Sequence, residues 1–359
     1  MSNTKPALVT GGAGFVGRHL IRALLAREYR DIWVVDDFST GRPFEEWLSP
    51  SWKKSEGDQG VTVYTSERGT LHVINADALG FFRDHALGCS PIHMPESFGD
   101  AFHLASIVGG RALIDGDPIM VASDLGIDAM FFFWLTRDPK RVDRVLYASS
   151  SAAYPTRLQG SVDAEALAED YIDFSANLGT PDMTYGWSKL TGEYLAKLAH
   201  ERYGVHVACI RPFSGYGEDQ DLTYPTPSIA LRVARGDDPV DVWGSGKQGR
   251  DFIHIDDCVD AFFPILDRVA DGSGVNIGTG VLTSFIELIE QMLTVEGRKA
   301  EVRPLSDKPV GVASRYADTT KLFKEIGWRP KMTLAEGLKK TLDGARERLA
   351  GKDLPFVLD

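Results

Sequence analysis

A tyrosine and a lysine stand four positions apart in the segment TYGWSKLTGEYLAKLAHERYG, as Tyr185 and Lys189. On an α-helix, this spacing places both side chains on the same face. An ammonium group beside a phenol favours the phenolate, and a phenol with a lowered pKa can take up and return a proton near neutral pH. The same spacing occurs on ordinary solvated helix faces, so the surrounding elements decide between the two interpretations.

Three serines, Ser149, Ser150 and Ser151, follow the apolar stretch RVLYA, which predicts a strand. The helix with Tyr185 and Lys189 is the next long one, and ligands of parallel sheets bind beyond the carboxyl ends of the strands. The order of these elements predicts that a serine, the tyrosine and the lysine face one crevice. Turn chemistry or a helix cap is the alternative role for the serines.

A glycine-rich segment follows the first apolar stretch, PALVT, and precedes a stretch with helical periodicity. Its Gly11, Gly14 and Gly17 fit G-x-x-G-x-x-G, in which the glycines permit a tight turn, close approach to a pyrophosphate and close helix packing. The first N–H groups of the helix, near Phe15 and Val16, favour phosphate. The segment predicts a dinucleotide site, and a purely structural glycine turn is the alternative.

Acidic residues end two further predicted strands. DIWVVDD ends in Asp36 and Asp37, and Asp36 lies about 20 residues after the glycines, where an acid accepts ribose hydroxyls and repels a 2′-phosphate. NAD is therefore favoured over NADP, although Arg42 lies close enough to accommodate a phosphate. Asp77, after LHVINAD, is a candidate for the adenine edge and equally for the cap of the next helix.

Strand and helix patterns alternate through the first part of the chain. Strands that are apolar on both faces, separated by helices, indicate an α/β fold with a parallel sheet covered by helices. After YGVHVACIRP the pattern loosens into Pro and Gly loops, which predicts a smaller second domain. We place the boundary between residues 211 and 212, with the chain partly interleaving between the two domains.

The segment from residue 42 to residue 70 is longer than most connections between a strand and a helix, and it is interpreted as an insertion. Its Trp47, Trp52, Lys53 and Lys54 suit a lid over a site. A plain surface excursion is the favoured interpretation, because connecting segments vary in this way.

The 359 residues are 43% hydrophobic and 25% charged, which is typical of a water-soluble protein with a large core. The formal net charge of -12 disfavours a general affinity for nucleic acid or for an anionic membrane. We expect no signal peptide and no membrane span, since no run approaches about 18 apolar residues. These observations predict a cytoplasmic protein.

The cysteines Cys89, Cys209 and Cys258 form no C-x-x-C pair, as expected for a reducing compartment. His85, Cys89 and His93 recur every four residues, a spacing that zinc ligands can use. The Gly and Pro residues between them disfavour a helix and favour a loop. We therefore predict no metal site.

The motifs GGAGFVG, DDFSTG, SSSAAYP, YGWSK and GSGKQGRDFIHIDD occur in this order. Together they resemble the extended short-chain dehydrogenase/reductase family, and more narrowly its NAD-dependent nucleotide-sugar epimerases and dehydratases, such as the UDP-glucose and UDP-glucuronate 4-epimerases. The resemblance extends from Pro6 to about Thr341. It implies a Rossmann-type doubly wound parallel sheet that binds NAD, followed by a smaller α/β domain that binds the nucleotide sugar.

The resemblance also implies roles for individual residues. Ser150, four residues before Tyr154, would orient a substrate hydroxyl, Tyr185 would be the acid/base, and Lys189 would bind the nicotinamide ribose. Ala105, with the glycine loop, Asp36, Asp37 and Asp77, is assigned to the cofactor. The apolar run MFFFW exceeds what one core face requires, so a homodimer through its helix and the Tyr-Lys helix is predicted.

Substrate contacts follow from the same resemblance. Arg250 would bind the pyrophosphate, for which a forked guanidinium is well suited. Lys308 or Arg315 would supply a second phosphate or sugar contact. Arg111 suits a substrate carboxylate such as a uronate, with an ordinary surface arginine as the alternative.

Departures from the family pattern narrow the reaction. The dehydratases and decarboxylases of the family carry an acidic residue in the serine segment, and some C3/C5 epimerases carry a cysteine there. This chain has Ser151, Ala152 and Ala153 at these positions, and Ser151 is a predicted substrate contact. Epimerisation at C4 needs neither group. A 4-keto-sugar reductase, a C3/C5 epimerase, a dehydratase and a non-catalytic NAD-binding module remain alternatives. Ser214 stands where asparagine is usual, which leaves UDP and GDP both open as the nucleotide.

Overall fold

The computed structural model describes residues 5–107, 109, 111–308 and 310–359, with only the backbone at 111 and 112. The strands are β1 (Ala7–Thr10), β2 (Asp31–Asp36), β3 (Lys53–Glu56), β4 (Thr62–Ser66), β5 (Gly69–Asn75), β6 (Phe98–His103), β7 (Val142–Ala148), β8 (Val207–Pro212), β9 (Ser214–Tyr216), β10 (Val240–Trp243), β11 (Gly249–Arg250), β12 (Phe252–His254), β13 (Asp271–Ile277), β14 (Thr283–Ser284), β15 (Val302–Leu305) and β16 (Ser314–Arg315). The helices are α1 (Phe15–Ala26), α2 (Ala78–Ala86), α3 (Arg111–Gly116), α4 (Pro118–Val121), α5 (Asp124–Arg137), α6 (Met183–Tyr203), α7 (Pro225–Arg235), α8 (Ile255–Arg268), α9 (Phe285–Val295) and α10 (Leu334–Leu349).

The largest sheet has the strand order β13-β8-β7-β6-β1-β2-β5-β4-β3. The strands from β13 to β5 pair in parallel, and β1, with residues such as Leu8 and Val9, is fully buried. Helices α1 and α8 pack together, and α2, α5 and α6 form a second packed layer. Strands apolar on both faces need such cover, and the predicted doubly wound α/β fold is confirmed.

Parts of the segment 42–70 belong to the core, so it is not a plain surface excursion, although β3 and residues 57–60 are exposed. Strands β3 and β4 extend the large sheet in antiparallel order. Trp47 is fully buried, Trp52 is 7% exposed, and Trp47 packs against Phe44 and Phe356. Burial of aromatic area outweighs the ordering of this long connection. The segment thus anchors the carboxyl-terminal tail, with Leu358 bridged to the residue after Trp47.

The smaller part contains three short sheets, β10-β15, β14-β11-β16 and β12-β9. Helices α7, α9 and α10 enclose a separate core that includes Leu288, Met292 and Leu338. Residues 255–277 follow the predicted boundary at 211/212, yet they return to the large sheet as α8 and β13. The chain therefore interleaves between the large sheet and the smaller part.

The segment Pro118–Arg137, which joins α4 and α5, is long and apolar enough to cross a membrane when only length and composition are considered. It is not a continuous apolar run, because Ser123, Asp124 and Asp128 interrupt it. In this fold α5 packs on α2 and α6. Its Asp124 and Asp128 are 1% exposed and hydrogen-bonded within the protein. The segment thus serves here as a helix that covers the sheet.

Candidate active site

The glycine turn between β1 and α1 has the shape that a pyrophosphate requires. Gly11 has a φ of 71°, and a Cβ there would lie 2.9 Å from the backbone nitrogen of Ala105. A Cβ on Gly17 would collide with the backbone of Gly11 and Gly12, so only glycine lets α1 pack this closely. Gly14 caps α1 without a side-chain hydrogen bond, which leaves the N-terminal dipole end of α1 open to an anion.

Asp36 lies at the end of β2, against the glycine turn. Its carboxylate accepts hydrogen bonds from the backbone N–H groups of Ala13 at 2.8 Å and Phe38 at 2.9 Å. Burial raises its pKa, and the two backbone hydrogen bonds oppose this rise. The carboxylate is thereby fixed beside the turn, where it can accept ribose hydroxyls.

The remaining residues assigned to the adenosine end have other partners. Asp37 is exposed and accepts from the N–H of Ser39. Asp77 caps α2 through two backbone N–H groups, which is the capping role considered for it. The guanidinium of Arg42 pairs with Asp353 at 2.8 Å, so a role for Arg42 in binding a 2′-phosphate would require this ion pair to open.

Ser150, Tyr185 and Lys189 lie together beyond the carboxyl end of β7. Ser150 begins a short turn, accepts from the N–H of Ala152 at 3.1 Å, and lies close enough to Tyr185 to lower the pKa of the phenol. Lys189 Nζ lies 5.8 Å from the centre of the Tyr185 ring. The crevice predicted from the order of the elements is therefore present.

Close packing between α6 and the turn fixes this arrangement. The N–H of Asp182 donates to the carbonyl of Ala152 at 3.0 Å. A Cβ on Gly186 would collide with the same carbonyl, so the glycine of YGWSK lets α6 begin directly against the serine turn. Sequence reasoning missed this role, although a glycine inside a helical pattern was a visible signal.

The charges of Tyr185 and Lys189 depend on each other. Burial raises the pKa of Tyr185, and Lys189 and Ser150 oppose the rise without cancelling it. The expected lowering of this pKa is therefore not produced by the protein groups alone, because desolvation of the phenolate is the larger effect. Burial lowers the pKa of Lys189, but Asp128, Tyr185 and Asp124 outweigh burial and raise it.

A buried polar network, which sequence reasoning also missed, supports the serine turn from below. Ser149 donates to Glu193, whose two oxygens accept from Arg211 at 2.9 and 2.7 Å. Arg211 also donates to the hydroxyl of Tyr154 at 2.8 Å, and Tyr154 donates to Asn276. Glu193 stands four residues after Lys189, so helical spacing could have indicated it.

The structure places two predicted substrate residues on adjacent strands, and one of them contacts the start of α6. Arg250 and Arg315 are paired neighbours on β11 and β16. Arg315 forms an ion pair with Asp182 at 2.8 Å and donates to Gln159 at 2.5 Å. Arg250 donates to the carbonyl of Val310 at 3.3 Å.

The other predicted substrate residues make contacts that do not indicate a role in substrate binding. Lys308 is exposed, and its ammonium lies 3.9 Å from Asp307. Ser151 is buried in the serine turn, and Ser214 begins β9 with its N–H bonded to Asp251. The side chain of Arg111 lies outside the described residues.

A cleft of about 560 Å³ opens at the start of α6, between the large sheet and the smaller part. Thr156, Met183 and Trp187 line one wall, and Gly311 and Val312 line the other. Tyr224, at the start of α7, is close enough for Tyr185 to raise its pKa, after burial, which is the larger cause. Among the described residues, no three His, Cys, Asp or Glu side chains are grouped to hold a metal ion.

Comparisons with known proteins agree with this geometry. A protein of Bacillus subtilis strain 168 described as an uncharacterized UDP-glucose epimerase is 26% identical over 337 residues, which cover 92% of this chain and 95% of that protein. A dTDP-4-dehydro-6-deoxy-D-allose reductase of Streptomyces bikiniensis is 27% identical over 345 residues, with 94% and 95% covered.

Among solved structures, the UDP-glucose 4-epimerase of Thermotoga maritima, crystallised with UDP-glucose, has the same fold. The TM-score is 0.75 at 24% identity, with 96% of this chain and 99% of that chain covered. The model of the NAD dependent epimerase/dehydratase family matches residues 7–71 and 102–278, well over half of the chain. This protein is therefore a member of the NAD dependent epimerase/dehydratase family.

Proposed function

We propose that this protein is an NAD-dependent epimerase that inverts C4 of a nucleotide-diphosphate sugar. The observation that carries the proposal is the grouping of Ser150, Tyr185 and Lys189 beside the glycine turn. The relatives from Bacillus and Thermotoga, which are described as acting on UDP-glucose, support the same class of substrate.

The residues present fit NAD. The turn at Gly11 and Gly17 has no room for a Cβ, and the open end of α1 suits a pyrophosphate. Asp36 stands where the adenosine ribose hydroxyls would bind and disfavours a 2′-phosphate. Bound NAD would supply one piece of chemistry, the acceptance and return of a hydride.

The protein groups manage the proton that accompanies the hydride. Ser150 orients the C4 hydroxyl, and Tyr185 takes its proton as C4 is oxidised. Lys189 stabilises the phenolate that must form, which matters because burial alone favours the neutral phenol. After the 4-keto sugar rotates in the site, Tyr185 would return the proton to the C4 oxygen.

The serine turn favours C4 over other reactions. Elimination or inversion beside the ketone needs a second proton carrier near the sugar. Ser151, Ala152 and Ala153 form that part of the turn, and none of them carries a carboxylate or a thiol. The turn therefore supports oxidation and reduction at one carbon.

Arg250 is proposed to bind the substrate pyrophosphate, and Arg315 is proposed to contact the sugar side through the Asp182 pair. The nucleotide is proposed to be UDP, as in the relatives, and GDP is the alternative that a substrate panel would separate. Arg111 remains proposed as a contact for a uronate carboxylate.

Incubation of purified protein with UDP- and GDP-sugars, followed by NMR detection of C4 epimers, tests the proposal. We expect epimers without added reductant, because the hydride is returned. A reductase would give no turnover without added cofactor and stoichiometric reduction when NADH or NADPH is added. A 4-keto-sugar reductase is the second candidate because the Streptomyces relative is described as one. Retained activity in Tyr185→Phe would contradict both.

A cytoplasmic homodimer is proposed as the working form. Large apolar side chains are exposed on α4 to α6, including Ile119 at 79%, Trp187 at 44% and Tyr194 at 44%. Such a patch suits a second copy of the chain. Light scattering at micromolar concentration should give twice the chain mass, and a monomer there would contradict the dimer.

A further inference from the structure

The carboxylate of Asp128 on α5 is 1% exposed, and the mechanism above does not use it. The Tyr147 hydroxyl donates to its Oδ2 at 2.6 Å, and His103 Nε2 lies 3.1 Å from its Oδ1. Gly192 on α6 faces the same carboxylate, since a Cβ there would lie 2.8 Å from Oδ2. A buried carboxylate without hydrogen-bond donors would strongly destabilise the fold. The two donors and the space left by Gly192 are therefore specific features of this site.

The proton positions of this network follow from its partners. Thr10 Oγ1 accepts from the N–H groups of Leu104 and Ala105, so its own proton is free for His103 Nδ1 at 2.8 Å. Burial lowers the pKa of His103, which keeps the ring neutral with its proton on Nε2. His103 therefore donates to Asp128, and the network begins at Ala105, beside the glycine turn.

Lys189 lies close enough to this carboxylate for Asp128 to be the first of the groups that raise the pKa of Lys189. Its Nζ lies 5.6 Å from the centre of the Tyr147 ring, whose hydroxyl binds Asp128. Lys189 is 3% exposed, so its charge needs an internal partner. Asp124, which accepts from the Ser106 hydroxyl and the N–H of Ile107, also raises the pKa of Lys189, but less than Asp128 does.

We propose that Asp128 is a positioning residue for the reaction: held by Tyr147 and His103, its negative charge keeps Lys189 protonated and directed at Tyr185. This role rests on the proposed function, because it matters only if Lys189 must stabilise the Tyr185 phenolate. No sequence pattern in the chain indicated it.

The first test reads Lys189 directly and does not depend on turnover. In protein labelled with ¹³C at lysine Cε, Lys189 is assigned by its loss in Lys189→Met and then titrated by NMR. We expect its pKa in Asp128→Asn to fall by at least about one unit from the wild-type value. An unchanged pKa would overturn the proposal, even if the proposed function holds.

The second test uses the pH profile of kcat. Activity requires a deprotonated Tyr185 and a protonated Lys189, so the alkaline limb reports the loss of the Lys189 proton. Asp128→Asn should move this limb to lower pH by about one unit, with KM within about threefold. A lower profile with both limbs unmoved would indicate a merely structural role.

A matched control is Asp100→Asn. Asp100 lies on β6, the strand that ends at His103. Asp100 is also buried and accepts from a tyrosine, Tyr29, but its cation is Arg144. The Asp100→Asn variant should have a lower free energy of unfolding, but the alkaline limb of its kcat profile should stay where it is in the wild type. A similar shift in both variants would contradict the proposal.

If Asp128→Asn fails to fold, the double variant Asp128→Ala/Tyr147→Phe serves the same purpose. It removes both partners of the shorter hydrogen bond, which proteins tolerate better than one orphaned group. It also lacks the negative charge, so the same titration and limb shift are expected. Normal titration of Lys189 in this variant would overturn the proposal.

Discussion

The cofactor end and the substrate end of this protein differ in how their residues are held in place. At the cofactor end, glycines and an aspartate are fixed by neighbouring backbone, as Gly17 is by Gly11 and Asp36 by Ala13. At the substrate end, Arg315 is fixed by an ion pair with Asp182, 133 residues away in the chain. The first kind of site is specified by local sequence, and the second only by the complete fold.

The largest effect is expected where the two ends meet, at the acid/base residue. Tyr185→Phe should reduce kcat by about 10³-fold, because no other described group in the crevice takes its proton, while NAD content stays normal. Tyr203→Phe, at the exposed end of the same helix, is the matched control and should retain full activity. A loss of less than tenfold in Tyr185→Phe would show that another group moves the proton.

The next largest effect is expected from a substitution that disturbs only the cofactor end. Gly17→Ala forces a Cβ to within 2.6 Å of Gly12 Cα and should lower the free energy of unfolding by about 2–3 kcal/mol. It should also reduce the NAD that copurifies. Gly160→Ala, where a Cβ meets nothing within 4 Å, is the control, and equal losses in both variants would refute the packing account.

At the substrate end, Arg315 and Lys308 give a paired comparison. The Arg315 and Asp182 side chains are 13% and 11% exposed, so Arg315→Ala should raise KM about tenfold, in line with the loss of a charged hydrogen bond. Lys308 is 47% exposed, and Lys308→Ala should change KM by less than about threefold. Steady-state kinetics with the identified sugar would check both values, and the reverse ranking would show that Lys308 is the true contact.

The smallest effect concerns the stability of the protein in acid. It involves Arg18, which connects the glycine turn of the cofactor end with Asp219. Its guanidinium binds the Ala13 carbonyl and Asp219, and the pKa of Asp219 is lowered to about 2, against burial, by His19 and Arg18. A lowered pKa gives stability that is present above the unfolded value and lost as pH falls through about 2. Urea unfolding between about pH 5 and pH 3 should therefore show a shallower loss in Asp219→Asn than in the wild type. Equal slopes would exclude this contribution.

The same contrast explains what could be predicted from the sequence. Gly11, Asp36, Ser150, Tyr185 and Lys189 could be predicted as site residues because each belongs to a short motif next to a regular strand or helix. The burial of Trp47 and the return of β13 to the large sheet depend on contacts with distant segments, which no local pattern encodes.

The charge network behind the site shows the same limit. The link between Asp128 and Lys189 requires β6, β7, α5 and α6 to be in place. The raised pKa of Tyr185 likewise follows from burial, which the spacing of the Tyr-Lys pair did not reveal. Motifs thus identified the groups, and the fold determined their charges.

The central claim is that hydride leaves and returns to C4 of a nucleotide sugar while Tyr185 carries the proton. The most direct measurement uses a UDP-sugar with deuterium at C4, incubated with the protein without added cofactor and followed by NMR. The account predicts that both C4 epimers appear and that deuterium remains at C4 in each. Deuterium lost to water, or solvent hydrogen gained at C3 or C5, would contradict it.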